Sequence, residues 1–290
     1  MKPFRMRYLF LLLVTWPLFA QKFTIIHNGE KRKYTVFLPQ DFNPVTKHPL
    51  VLNIHGLGAN RKQQEKYSRM NKVADKEGFI VIYPYGNRHY WNTGVLKEPY
   101  ITGRDDVGFI NKILDTVIQE YNVATDSIYA TGLSLGGYFS HRLACEMGNR
   151  IAAIASVGGA MSDSTNNNCS NPRPIPVLQI HGTKDPIVKY NGFRRSMPVE
   201  KTVAFWAKRN SCSSSDTVLI PDICSKDQTT ASLIKFKCDS KAPVWFVKIH
   251  NGGHTWPGTR IDYLFLGKTN MDFKASELIW EFFSQFSLKQ

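Results

Sequence analysis

The chain reads as an α/β fold with a mainly parallel central sheet and helices on both faces. Three observations carry that reading. Short, almost continuously apolar runs fall at residues 50–55, 79–83, 128–131, 151–157, 177–181 and 244–249, as expected for strands buried on both faces. Helical periodicity lies between them: Ile110, Ile113, Leu114, Val117 and Ile118 precede the 128–131 run, and Leu135, Phe139, Leu143 and Met147 follow it. Strands that alternate with helices imply a parallel sheet covered on each side. The composition supports a large core, since 42% of the 290 residues are hydrophobic, including 18 Phe, 12 Tyr and 6 Trp, which excludes a disordered chain.

The first twenty residues place Lys2, Arg5 and Arg7 before an apolar run over 8–20. That run is too short to cross a bilayer comfortably, so residues 1–20 are expected to be a secretory signal cut after Ala20. The expected location is secreted or periplasmic, with no membrane span after cleavage. Residues 21–290 show no repeat, linker or low-complexity tract and read as a single domain. Lysine and arginine exceed aspartate and glutamate by 37 to 23, a net charge of +14, but they are scattered and form no nucleic-acid-binding arm. A positive exported chain fits an anionic polysaccharide or the bacterial surface as a neighbour, or nothing more than solubility.

In chain order, residues 23–27 and 34–38 read as strands joined through Asn28-Gly29. The 50–55 strand ends in His55-Gly56-Leu57-Gly58. Residues 61–77 read as one surface helix, with Tyr67, Met70, Val73 and Ala74 on its apolar side. Residues 84–104 form a long loop, too aromatic to be a mere connector. Asp105-Asp106 then caps the helix that carries Ile110 to Ile118; capping explains the two carboxylates better than metal ligation. Residues 158–174 read as a loop, Val199, Val203 and Trp206 mark a helix, and 211–243 is irregular except for a strand at 233–236. The final helix shows Leu278, Ile279, Phe282, Phe283 and Phe286.

The chemistry centres on Gly132-Leu133-Ser134-Leu135-Gly136, a G-x-S-x-G turn between the 128–131 strand and the following helix. Strand, sharp turn with a central serine, then helix is the nucleophile-elbow arrangement. The pentapeptide alone is a weak signal; it gains weight from an acid and a base later in the chain. Serine is a poor nucleophile without an adjacent base. His254, in a glycine-rich loop after the last strand, is the expected base, with His181 and His250 as rivals. Asp185, just after the 177–181 strand, is the expected acid, with Asp163 as the alternative. The order Ser…Asp…His is that of the nucleophile-elbow enzymes and not of the other serine-protease orders. The backbone N–H groups of Leu57 and Leu135 are the expected oxyanion donors, and His55 is expected to orient its turn rather than catalyse. Trp91 and Asn92 in the 84–104 loop, and Trp256 beside His254, are candidates for the substrate pocket. No C-x-x-C pair exists, and neither a metal nor a cofactor is expected.

The blocks HGLGAN, GRDDVGFI, IYATGLSLGGYFSHRLACE, IPVLQIHGTKDPIVKYNG, GGHTWPG and ELIWEFF, in this order, resemble the polyhydroxybutyrate-depolymerase-like and feruloyl-esterase branch of the α/β-hydrolases. The resemblance covers about residues 30–285. It implies Ser134 as nucleophile, Asp185 as acid, His254 as base, and the Leu57 and Leu135 amides as the oxyanion hole. It also implies disulfides Cys145–Cys169 and Cys212–Cys238, which leave Cys224 as the odd cysteine of five. Leu135 departs from the pattern, since many relatives carry Asn there. The expected activity is that of a secreted serine esterase on feruloyl or acetyl esters, carbohydrate-linked or oligomeric. Hydrolysis of hydroxybutyrate oligoesters is the alternative enzyme reading, and a catalytically inactive binding protein on the same fold is the alternative of another class.

Overall fold

A computed structural model describes residues 20–261 and 264–289; the expected signal segment, apart from Ala20, lies outside the described residues. One sheet runs through them. Its strands are β1 (Gln21–His27), β2 (Glu30–Phe37), β3 (His48–Ile54), β4 (Ile80–Pro84), β5 (Val123–Leu133), β6 (Ala153–Val157), β7 (Val177–Gly182), β8 (Cys212–Ile220), β9 (Thr230–Cys238) and β10 (Val244–His250). The helices are α1 (Arg61–Ser68), α2 (Met70–Glu77), α3 (Asp106–Glu120), α4 (Leu135–Glu146), α5 (Asp163–Asn167), α6 (Val199–Arg209) and α7 (Ala275–Phe283).

The strand order is β1-β2-β4-β3-β5-β6-β7-β10-β9-β8. From β4 to β10 every pairing is parallel, whereas β1 and β2 on one side and β9 and β8 on the other pair antiparallel. The chain leaves β3 for β4 on one side and returns to β5 on the other. The carboxyl ends of β3 and β5 therefore flank a topological switch point, where such sheets leave a crevice.

Alternate residues of each central strand feed two separate cores. Leu50, Leu52 and Ile54 of β3 and Val244 and Phe246 of β10 pack with α3, α4 and α6. Val51, Trp245, Val247 and Ile249 pack with α2 and α7, through Met70, Val73, Ile279, Phe282 and Phe283. Burying each such side chain contributes about 1.5–3 kcal/mol, so the centre of the sheet is a rigid platform for the loops on its rim.

Four local readings change. The 61–77 helix is broken at Arg69, whose left-handed backbone (φ 55°) ends α1 and starts α2. Residues 211–243 contain the hairpin β8–β9, not a lone strand; the β8 sequence CSSSDTVLI has no apolar alternation because it is an exposed edge strand. The 158–174 loop holds the short α5, which Ser162 caps by accepting from the Thr165 N–H. Of the two carboxylates at the start of α3, only Asp105 caps, accepting from Gly108; Asp106, the first residue of the helix, is buried in an ion pair with Arg32 at 2.7 Å.

Two disulfides close. Cys145–Cys169 ties the end of α4 to the segment after α5, and Cys212–Cys238 joins facing residues of β8 and β9. Cys224 is a free, half-buried thiol.

Candidate active site

β5 ends at Leu133, and Ser134 turns the chain into α4 with φ 56° and ψ −120°, a conformation that side-chain-bearing residues rarely adopt. Its N–H donates to the Val157 carbonyl at 2.8 Å, which fixes the turn to β6. A Cβ on Gly132 would lie 2.5 Å from the Ile54 carbonyl oxygen, and one on Gly136 would strike the same atom. Both glycines of the motif are thus required by the close approach of β3. Leu135 is the first residue of α4, where a backbone N–H has no intrahelical acceptor and the helix dipole is positive.

The acid and the base arrive on separate strands. Asp185 stands just past β7 and is 5% exposed. Its Oδ1 accepts from the N–H groups of Ile187 and Val188, both at 2.8 Å, so the carboxylate cannot rotate freely. Its Oδ2 accepts from His254 Nδ1 at 2.7 Å, a charge-assisted contact of the short kind. His254 lies in the loop after β10, anchored by its own N–H to the Leu266 carbonyl at 2.6 Å. The ring lies against Gly158, where a Cβ would come within 3.2 Å of Nδ1. With Nδ1 held as the proton-bearing nitrogen, Nε2 is left with a lone pair and, among the described residues, no partner. Ser134 and His254 line one cleft of about 480 Å³.

The rival groups are engaged elsewhere. His181 is buried, with Nε2 donating to the Val188 carbonyl at 2.8 Å and lying 3.4 Å from Asp185 Oδ2; burial pulls its pKa down. It therefore braces the turn that holds Asp185. His250 is exposed at the end of β10, and Asp163 is exposed in the first turn of α5.

The turn after β3 forms the opposite wall. His55 is fully buried; Nδ1 donates to the Gly56 carbonyl at 2.8 Å, and Nε2 accepts the Gly86 N–H at 2.9 Å. Burial lowers its pKa to about 4, so the ring is neutral and shapes the turn. Leu57 lies on the cleft, 57% exposed, and its N–H has no acceptor among the described residues.

With that geometry in place, the comparisons with known proteins are informative. The family model described as Esterase PHB depolymerase matches residues 32–199, more than half of the chain. The chain belongs to this esterase family. The match includes Ser134 and Asp185 and stops before His254. Among curated relatives, the bifunctional acetylxylan esterase/xylanase XynS20E of Neocallimastix patriciarum is 32% identical over 162 residues, which is 56% of this chain and 22% of the relative. The chain thus spans about a fifth of that protein's length. Feruloyl esterase D of Neurospora crassa is 26% identical over 280 residues, covering 92% of this chain and 87% of the relative. The solved acetyl xylan esterase from Aspergillus awamori superposes with a TM-score of 0.59 at 14% identity, over 81% of this chain and 94% of that one. That likeness speaks for the fold, the α/β-hydrolase fold of these esterases.

Within this esterase-family frame, the structure moves all three pocket candidates away from the cleft. Trp91 is fully buried; its Nε1 donates to the His55 carbonyl at 3.0 Å and its ring stacks on Phe139. Asn92 is buried, with its N–H on Asp106 at 2.7 Å and its amide on the Pro99 carbonyl at 3.0 Å. Trp256 is buried, with Nε1 on Ser276 at 3.1 Å. The aromatic loop of 84–104 therefore buttresses the His55 turn from behind. The cleft walls come instead from Gln63, Lys66 and Tyr67 of α1, from Leu57, and from Ile261, Phe265 and Leu266. Local sequence gave little sign of these residues. Gln63 and Lys66 belong to a polar helix face, and the segment around Phe265 has no periodicity.

Proposed function

We propose that the chain is a secreted serine esterase that cleaves carboxylic esters through an acyl-enzyme on Ser134. The observation that carries this reading is the 2.7 Å contact of His254 Nδ1 with Asp185 Oδ2 in a cleft shared with Ser134 on its strained turn. In this reading His254 Nε2 takes the Ser134 hydroxyl proton as Oγ bonds to the ester carbonyl carbon. The Leu57 and Leu135 amides stabilise the oxyanion; one such donor is worth about 2.7–4 kcal/mol of barrier. The intermediate collapses, the C–O bond to the alcohol breaks, and the imidazolium returns its proton to the departing alkoxide. Water, activated by the same Nε2, then attacks the acyl-enzyme and releases the acid. Asp185 keeps the tautomer and stabilises the imidazolium without taking its proton. The domain is residues 21–290, and the segment before it is the export signal.

The substrates supported by the relatives' names are feruloyl and acetyl esters on polysaccharide or its oligomers. The family description favours hydroxybutyrate oligoesters as the second reading. A panel of methyl ferulate, acetylated xylan, hydroxybutyrate oligomers and p-nitrophenyl esters of rising chain length separates them. Turnover of the first two ahead of the others supports the proposal, and preference for long-chain lipid esters would contradict it.

A further inference from the structure

Two further buried histidines take no part in the chemistry proposed above, and both belong to one hydrogen-bonded network that reaches the acid. His141 of α4 and His181 of β7 are 0% and 1% exposed. Burial lowers the pKa of each, so both rings are neutral. A neutral imidazole has one donor nitrogen and one acceptor nitrogen, and its neighbours decide which is which.

Here the neighbours decide it for both rings. Trp206 Nε1, which can only donate, gives its hydrogen to His141 Nδ1 at 3.0 Å. The His141 proton therefore sits on Nε2, which donates to Gln179 Oε1 at 3.1 Å. That contact orients the amide, so Gln179 Nε2 donates to the Gly159 carbonyl at 2.6 Å and faces His181 Nδ1 at 3.4 Å. His181 Nε2 meets only acceptors, the Val188 carbonyl at 2.8 Å and Asp185 Oδ2 at 3.4 Å, so it carries the proton of that ring. Nδ1 is then an acceptor, and the Gly159 carbonyl 3.3 Å from it takes its hydrogen from Gln179. Every donor thus points one way, from Trp206 through His141, Gln179 and His181 to Asp185. The chain also braces the acid and the base indirectly. Val188, held by its carbonyl, donates its own N–H to Asp185 Oδ1 at 2.8 Å, and Gly159 follows Gly158, against which the His254 ring rests.

We propose that His141, Gln179 and His181 are positioning residues of this esterase, an ordered chain of donors that ends on Asp185 and sets the basicity of His254. This rests on the esterase reading above. Each N–H aimed at Asp185 disperses its charge and weakens its hold on an imidazolium at His254. The titratable groups facing the Asp185–His254 pair are His181 from β7 and the Tyr138 hydroxyl from α4, which bonds Ser196 and which burial keeps protonated. Lys184 and Lys189, on the turn that carries Asp185, are exposed.

The test uses the full chain and p-nitrophenyl acetate, with rates taken per folded molecule. His181→Leu removes the last donor while filling its space. It is expected to lower kcat/KM about tenfold and to move the acid limb of the pH profile upward by about half a unit. His181→Gln, which restores a donor, brings the limb back towards the wild type. Gln179→Met interrupts the chain one residue earlier at similar volume; it gives the same direction with a smaller shift and serves where the leucine impairs folding. Residues that only pack would lower the melting temperature and leave the limb in place. Nitrogen NMR of isotope-labelled histidine rings above neutral pH reads the tautomers without turnover, so absence of hydrolysis would defeat the esterase reading and leave the chain testable. Protons are expected on Nε2 of His141 and His181 and on Nδ1 of His254. A proton on Nδ1 of His141 or His181, or an acid limb unmoved by these substitutions, overturns the proposal.

Discussion

His55 and His254 stand just past parallel strands on the same rim of the sheet, and both are almost fully buried, at 0% and 5% exposure. Their surroundings differ. His55 has a backbone group on each ring nitrogen, so it is saturated and neutral. His254 has a carboxylate on one nitrogen and the cleft at the other. The contrast teaches that neither burial nor position after a strand singles out a candidate base. What singles out His254 is one ring nitrogen committed to a fixed acid and, among the described residues, no partner on the other, in a cleft shared with Ser134.

The largest expected effect separates the two residues. His254→Ala is expected to lower kcat by about 10⁶, far beyond what its cost in stability would explain, with the chain still folded at the assay temperature. Equal losses of kcat in His254→Ala and His55→Ala would break the comparison. Asp185→Asn leaves the hydrogen bonds to Ile187 and Val188 possible but favours the wrong tautomer of His254. A loss of about 10⁴ in kcat is expected, and a loss within tenfold would show that Asp185 only fills space. His55→Ala acts mainly on stability. It orphans the Gly86 N–H, worth about 1–3 kcal/mol, which thermal unfolding reads as a drop of several degrees.

The pH dependence of stability sharpens the same contrast. Burial lowers the pKa of His55 and of His141 from 6.5 to about 4 in the fold, and lowers that of His181 as well. The unfolded chain then binds more protons than the folded one between pH 6.5 and 4. Stability is therefore complete above the unfolded value and falls on acidification through that window, by up to about 1.4 kcal/mol per pH unit for each such group. Denaturant titrations at several pH values check this. A midpoint that stays constant from pH 7 to about 4.5 would contradict the buried, neutral assignment of these rings.

The parts of the molecule that were legible in the sequence are those set by local chemistry. Gly132 and Gly136 flank Ser134 because β3 passes too close for a side chain, and that constraint is written at fixed spacing. Asp185 and His254 were legible by their order after strands, although 69 residues separate them. The burial of Trp91 and Asn92 was not legible, because it depends on His55 and Asp106, partners distant in the chain. Nor was the break at Arg69, a left-handed residue without glycine's usual signature. The β8 strand escaped because an exposed edge needs no apolar pattern. The cleft walls escaped for a related reason: Lys66 and Phe265 become neighbours of Ser134 only once α1 and the loop after His254 close over the rim.

The central claim is that Ser134 is made nucleophilic by His254 through the cleft they share. Labelling the folded chain with a fluorophosphonate and mapping the adduct by peptide mass spectrometry tests it directly. One adduct is expected, on Ser134, abolished in Ser134→Ala and strongly slowed in His254→Ala. Labelling at another residue, or undiminished labelling in His254→Ala, would contradict it.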